Sequence, residues 1–239
     1  MVSKLIAIGG GGFLMGSENQ LLDRYCLNST GKTIPKVCFI PTASGDSEDF
    51  LSRFYRAFSR YSCEPSHLTF FRKPRVGSIP FNDIEQHLLN QDLIYVGGGN
   101  TRAMLAVWQE WKIGNILKRA WQSGVLLAGM SAGAICWFEY GGSDSTYSGK
   151  LSPLKGLGLI PGSCTPHYDG EINRRSDFHF LIESGKLPSG IGIDDGAAVL
   201  FEGQQLLEVV ASKAKVKAYK VKLEDGQIVE KSISARYLG

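Results

Sequence analysis

The chain has 239 residues, 43% of them apolar and 10% aromatic, and a formal net charge of +3. This length and apolar content describe one globular domain over residues 1–239 and exclude a disordered chain. The small net charge gives no reason to expect nucleic acid or an anionic membrane as a partner, and no apolar run is long enough to span a bilayer. The five cysteines (Cys26, Cys38, Cys63, Cys136, Cys164) are widely spaced, with no CxxC pair, so neither a disulfide framework nor a zinc site is expected. No signal-peptide core follows Met1. The expectation is a cytoplasmic protein with reduced thiols, no metal and no cofactor.

In chain order, Leu5 to Ile8 reads as a buried strand followed by the turn Gly9 to Gly12. A helix is predicted around Glu18 to Cys26, then a strand from Lys36 to Ile40 and a helix from Asp49 to Tyr61. A third strand is predicted at Ser66 to Phe71, a helix at Phe81 to Leu89, and a fourth strand at Asp92 to Val96, ended by Gly97-Gly98-Gly99-Asn100. Arg102 to Trp111 and Ile113 to Gln122 read as helices, and Val125 to Ala128 as a fifth strand. Strands alternating with helices, and apolar on both faces, predict an α/β fold with a mostly parallel sheet flanked by helices. Beyond residue 140 the texture becomes β-rich, with strand-like runs at 190–194, 197–201, 206–210 and 216–221 separated by Asp-Gly and Glu-Gly turns. The alternating series Lys213, Lys215, Lys217, Lys220, Lys222 reads as the solvated face of an edge strand.

Gly129-Met130-Ser131-Ala132-Gly133 fits the Gly-x-Ser-x-Gly elbow, in which a nucleophile sits on a tight turn between a strand and a helix. Small residues two positions either side let the chain pass close to itself. The turn lifts Ser131 to the carboxyl end of the sheet and aims the Ala132 amide at a reacting carbonyl. Parallel strands share one carboxyl edge, so the Gly97–Asn100 loop can neighbour Ser131 and offer a second amide from Gly98 or Gly99. Asn100 is a candidate for contact with substrate. The P-loop lysine and the full dinucleotide glycine pattern are absent from both glycine-rich loops.

A serine nucleophile needs a base, and the chain has four histidines. His87 reads as a solvated helix residue, His179 as a packing residue, and His67 has no obvious partner. His167, in Pro166-His167-Tyr168-Asp169-Gly170, lies on a loop after a strand-like run, where catalytic groups gather. The orienting carboxylate is either Asp195, at a strand end, or Asp144, in the glycine- and serine-rich loop after the elbow.

Together, Gly97-Gly98-Gly99-Asn100-Thr101, Gly129 to Ala134, Lys155-Gly156-Leu157-Gly158-Leu159, Pro166-His167-Tyr168 and Gly192-Ile193-Asp194-Asp195-Gly196 resemble the peptidase E family, including its cyanophycinase relatives. The resemblance covers roughly residues 4 to 210. It implies a fold like that of class I glutamine amidotransferases, with serine in place of cysteine, and a Ser–His–acid site with no metal. It makes Ser131 the nucleophile and His167 the base. In the family's cyanophycinase-like members the acid at this position is usually Glu, where this chain has Asp195. The expected substrate is a small acidic peptide with N-terminal Asp, acted on by a monomer or homodimer, and the resemblance implies that an arginine binds its carboxylate, with Arg174 and Arg175, soon after His167, as the candidates. A cyanophycinase-like or other small-amide hydrolase, and a non-catalytic binding protein on the same fold, are the competing readings.

Overall fold

Five short strands, four of them apolar runs, form the parallel half of a central sheet: β1 (Lys4–Ile8), β2 (Lys36–Ile40), the polar β3 (Glu64–His67), β4 (Leu93–Val96) and β5 (Leu126–Met130). The computed structural model describes residues 2–16, 19–71, 79, 83–146 and 148–239. In this sheet β1 pairs in parallel with β5, β5 with β4, β4 with β2, and β2 with the edge strand β3. On the other side of β1, β10 (Ala197–Glu202) and β11 (Gln205–Ala211) add antiparallel, and β14 (Arg236–Tyr237) closes that edge.

Alternate residues of these strands point to opposite faces, and both faces are covered. Ile6, Ile8, Phe39, Tyr95 and Ala128 pack with α1 (Leu21–Ser29) and α2 (Glu48–Phe58). Leu5, Ala7, Ile40, Val96 and Leu127 pack with α3 (Ile84–Leu89), α4 (Thr101–Glu110) and α5 (Ile113–Gln122). Both-sided burial is why these strands read as unbroken apolar runs rather than as alternation. The helix expected from Glu18 begins at Leu21, and Glu18 itself lies outside the described residues. The same holds for residues 81 and 82 of the helix expected from Phe81. The third strand comes earlier than the sequence suggests, at Glu64–His67 rather than Ser66 to Phe71. Its edge position accepts Pro65, which cannot donate to a ladder.

The β-rich remainder does more than extend this sheet. β6 (Phe138–Ser143), β7 (Ser152–Lys155), β8 (Ile160–Thr165), β9 (Gly190–Ile193), β12 (Ala218–Glu224) and β13 (Gln227–Ile233) form a second sheet, ordered β13-β12-β9-β8-β6-β7. Helix α7 (Arg174–Glu183) covers it through Phe178, Leu181 and Ile182. The expected lysine-rich edge strand is corrected here. β12, which carries Lys220 and Lys222, pairs with β9 on one side and β13 on the other, so it is interior. The turn chemistry explains the difference. Asp225 and Gly226 both have positive φ (49° and 76°), the geometry of a two-residue hairpin turn, and they fold β13 back along the lysine strand. All five cysteines are unpaired. No helix among the described residues is long and apolar enough to cross a membrane.

Candidate active site

Parallel pairing brings the carboxyl ends of β1, β5, β4 and β2 side by side, and the loops leaving them build the site. Ser131 follows β5 directly and precedes the short helix α6 (Ala132–Ile135). Its φ of 57° and ψ of −113° lie in a region that non-glycine residues avoid, at a cost of about 1–3 kcal/mol. Neighbours over-determine this turn. The Ser131 amide donates to the Ile8 carbonyl at 3.1 Å, and the Ser131 carbonyl accepts from the amides of Ala134 and Ile135. The close self-approach that the motif requires is real: a Cβ on Gly129 would stand 2.2 Å from the Gly133 carbonyl oxygen.

Gly98 lies beside the serine, where a Cβ would come within 3.2 Å of Ser131 Cβ. Among the described residues, no backbone hydrogen bond engages the amides of Gly98, Gly99 or Ala132. Asn100 caps α4, accepting from the Ala103 amide at 2.9 Å and donating to the Ser145 carbonyl at 3.1 Å. Both ends of its side chain are therefore committed to holding the loop.

Ser131 opens on a cavity of about 670 Å³, whose walls include Gly99, Asn100, Asp144, Glu171 and Arg174. Arg174 is the buried member, with only 3% of its side chain exposed. Its guanidinium donates to Glu171 and lies 3.6 Å from the Asp144 carboxylate, while its Nε has no hydrogen-bond partner among the described residues. Arg175 points elsewhere. It pairs with Glu230 on β13 and lies over the rings of Tyr168 and Tyr219, so it is part of the second sheet's packing rather than of the cavity wall.

His167 has φ of 55° and sits on the loop after β8. Its Nδ1 lies 2.6 Å from Asp195 Oδ1. An ionised carboxylate can only accept, so Nδ1 carries the proton and Nε2 of the neutral ring is left as the acceptor. The hydrogen bond from His167 holds the Asp195 carboxyl below its ordinary value against the opposing effect of burial, and the positive charges of Lys213 and Arg174 lower it further. His167 and Asp195 are not among the walls of the cavity, but the Glu171 amide donates to the His167 carbonyl, which ties them to the wall. Among the described residues no hydrogen bond joins Ser131 Oγ to the ring. Asp144 is 62% exposed at its side chain and faces Arg174 instead.

The other histidines are all engaged. His67 bonds Tyr55 Oη at 2.6 Å, and His179 bonds Tyr168 Oη and Glu230, each at 2.9 Å. His87 is not freely solvated as expected. It is half-buried and bonds Ser66 Oγ at 3.0 Å, in a separate cavity at the amino ends of β2 and β3. No group of three or more metal-ligating side chains converges among the described residues.

Sequence reasoning missed how Asp195 is held. The turn after β1 packs Gly10 against it, and a Cβ there would lie 2.1 Å from Asp195 Oδ1. A Cβ on Gly170 would lie 2.4 Å from the other oxygen, and Asp169 Oδ1 accepts from the Asp195 amide at 2.8 Å. The available signal was the glycine run at a strand end on the same carboxyl edge. Asp23 of α1 anchors the far end of that turn, accepting from the Phe13 amide at 2.9 Å. It is completely buried, and its second oxygen has no hydrogen-bond partner.

Burial pushes the Asp23 carboxyl up to about 7, against the opposing Phe13 hydrogen bond. The folded protein thus holds this proton more tightly than the unfolded chain, where the group titrates near 3.8. Its contribution to stability is full below that value and is lost as pH rises through about 7. Denaturant unfolding from pH 4 to 8 should show wild type losing a few kcal/mol relative to Asp23→Asn. Parallel profiles for the two proteins would remove Asp23 as the source.

Comparison with known proteins agrees with this architecture. Residues 5–209 match the family model described as Peptidase family S51. The chain is 47% identical over 238 residues to the uncharacterized peptidase YgaJ of Bacillus subtilis (strain 168), covering 100% of both chains. It is 24% identical over 205 residues to a cyanophycinase of Nostoc sp., covering 82% of this chain and 68% of that one. The crystal structure of a peptidase from an acI-B1 Actinobacterium shares the fold, with a TM-score of 0.68 and 23% identity over 98% of this chain and 95% of the other. With a glycine-flanked serine on a strand-to-helix elbow and a family match over most of its length, the chain belongs to Peptidase family S51, the peptidase E and cyanophycinase family, and is a peptidase.

Proposed function

We propose that the chain is a serine-type peptidase that cleaves short peptides, above all dipeptides, with an N-terminal aspartyl residue. Ser131 Oγ attacks the peptide carbonyl, and His167 Nε2 takes its proton and then delivers it to the departing amine. The Asp195 carboxylate holds the ring with Nδ1 protonated. The amides of Ala132 and of Gly98 or Gly99 receive the oxyanion. The acyl-enzyme on Ser131 is then hydrolysed by water activated at the same Nε2. A Ser–His contact of this kind tightens when substrate binds.

The observation that carries the reading is that Ser131, on its strained turn, opens on the same cavity as the buried guanidinium of Arg174. A planar guanidinium suits a carboxylate, and Arg174 lines the cavity onto which Ser131 opens. Arg174, not Arg175, is the acid-recognising residue in this reading. The five unpaired cysteines suit the reducing cytoplasm.

A charge-assisted hydrogen bond contributes about 1.5–3 kcal/mol, so Asp-Leu should exceed Asn-Leu at least about tenfold in kcat/KM. Arg174→Gln should abolish most of that preference. Equal kcat/KM for the two dipeptides in the wild-type protein would overturn the proposed specificity.

A further inference from the structure

We infer that Glu171 is a resident occupant of the carboxylate site on Arg174, and that an acidic substrate must displace it to bind. The inference rests on the proposed role of Arg174 and concerns what that arginine holds before substrate arrives. The Arg174 side chain is 3% exposed, yet its guanidinium is already engaged by the Glu171 carboxylate, with that of Asp144 3.6 Å away. Two carboxylates thus face one guanidinium inside the cavity that Ser131 shares. A third carboxylate, from substrate, would meet net repulsion unless one of the residents withdrew.

Glu171 is the one built to withdraw. It is 45% exposed and lies in the turn between His167 and α7, a turn that ends with Asn173 at φ 67°. Its side chain makes no hydrogen bond other than the one to Arg174 among the described residues. It can therefore rotate into solvent without unpacking anything, whereas Arg174 is fixed by burial. Such an arrangement keeps the buried guanidinium neutralised in the empty protein and makes the affinity for acids lower than the site could otherwise reach.

The test is direct binding of succinate, a dicarboxylate with no scissile bond, to the full chain by calorimetry. Glu171→Gln and Glu171→Ala should each bind succinate about two- to fivefold more tightly than wild type, the effect of removing a half-exposed ion pair, and Arg174→Gln should lose binding. Unchanged or weaker binding in both Glu171 variants, or no succinate binding by any of the proteins, would overturn the inference. Weaker binding would instead make Glu171 a support for the Arg174 side chain. Hydrolysis of Asp-Leu by the wild-type protein is scored separately. If it fails while the Glu171 variants bind succinate more tightly, the peptidase specificity falls and the displaced carboxylate stands. If it succeeds while succinate affinity is the same throughout, the reverse holds.

Discussion

Replacing Ser131 with Ala should leave a folded protein with no measurable peptidase turnover. The folded state should be little affected because Ser131 Oγ makes no hydrogen bond among the described residues, so no buried partner loses its bond. The strained turn is set by backbone bonds to Ile8, Ala134 and Ile135, which alanine keeps. The change in stability should stay within about 1 kcal/mol. The chemistry has no substitute. A methyl group cannot form the acyl-enzyme, and removal of a serine nucleophile in such a unit costs about 10⁶-fold in turnover. The measurement is release of Leu from Asp-Leu by purified variant, alongside its thermal unfolding. A folded variant keeping a tenth of wild-type turnover would show that Ser131 is not the nucleophile.

How far this site could be read from the sequence depends on the distance over which each contact acts. The Ser131 elbow is local: strand, glycines and helix start lie within ten residues, so the motif carries its own context. Four of the five parallel strands were legible for a similar reason, since burial on both faces leaves continuous apolar runs, whereas the polar edge strand β3 carries no such run and was placed too late in the chain. The second sheet was not separable, because a period of two marks a strand without saying which sheet it joins. The lysine strand illustrates this: its composition suits an edge, and only the Asp225-Gly226 turn and the strand after it make β12 interior. Arg174 and Arg175 are adjacent, and no pattern tells which faces the cavity. Their directions differ because Arg175 finds Glu230 fifty-five residues later, on β13. The support of Asp195 by Gly10 is likewise a contact across the whole chain, formed by β1 and β10 pairing.

The choice between the two candidate acids gives the second large effect. Asp195→Asn should lower kcat by about 10⁴-fold, and Asp144→Asn by no more than about tenfold. The argument begins with what each side chain can do where it stands. Asp195 lies 2.6 Å from His167 Nδ1, with its oxygens closed in by the backbone at Gly10 and Gly170 and its amide held by Asp169. It cannot rotate away, so it fixes both the ring and its tautomer. An asparagine in the same enclosure can turn its NH₂ toward the ring. That group donates, so it stabilises the tautomer with the proton on Nε2, the one unable to accept from Ser131. Asp144, 62% exposed and facing Arg174 at 3.6 Å, can alter the charge near substrate but not the ring. The short reach of Asp compared with Glu is no obstacle, because the glycine at position 10 lets β1 approach closely enough for the carboxylate and imidazole to meet. It also predicts that Asp195→Glu will not restore activity, since the extra methylene has no room between Gly10 and Gly170. Steady-state kinetics of the three variants on Asp-Leu decide the matter. A loss at Asp144 equal to or greater than that at Asp195 would move the role of the acid to Asp144.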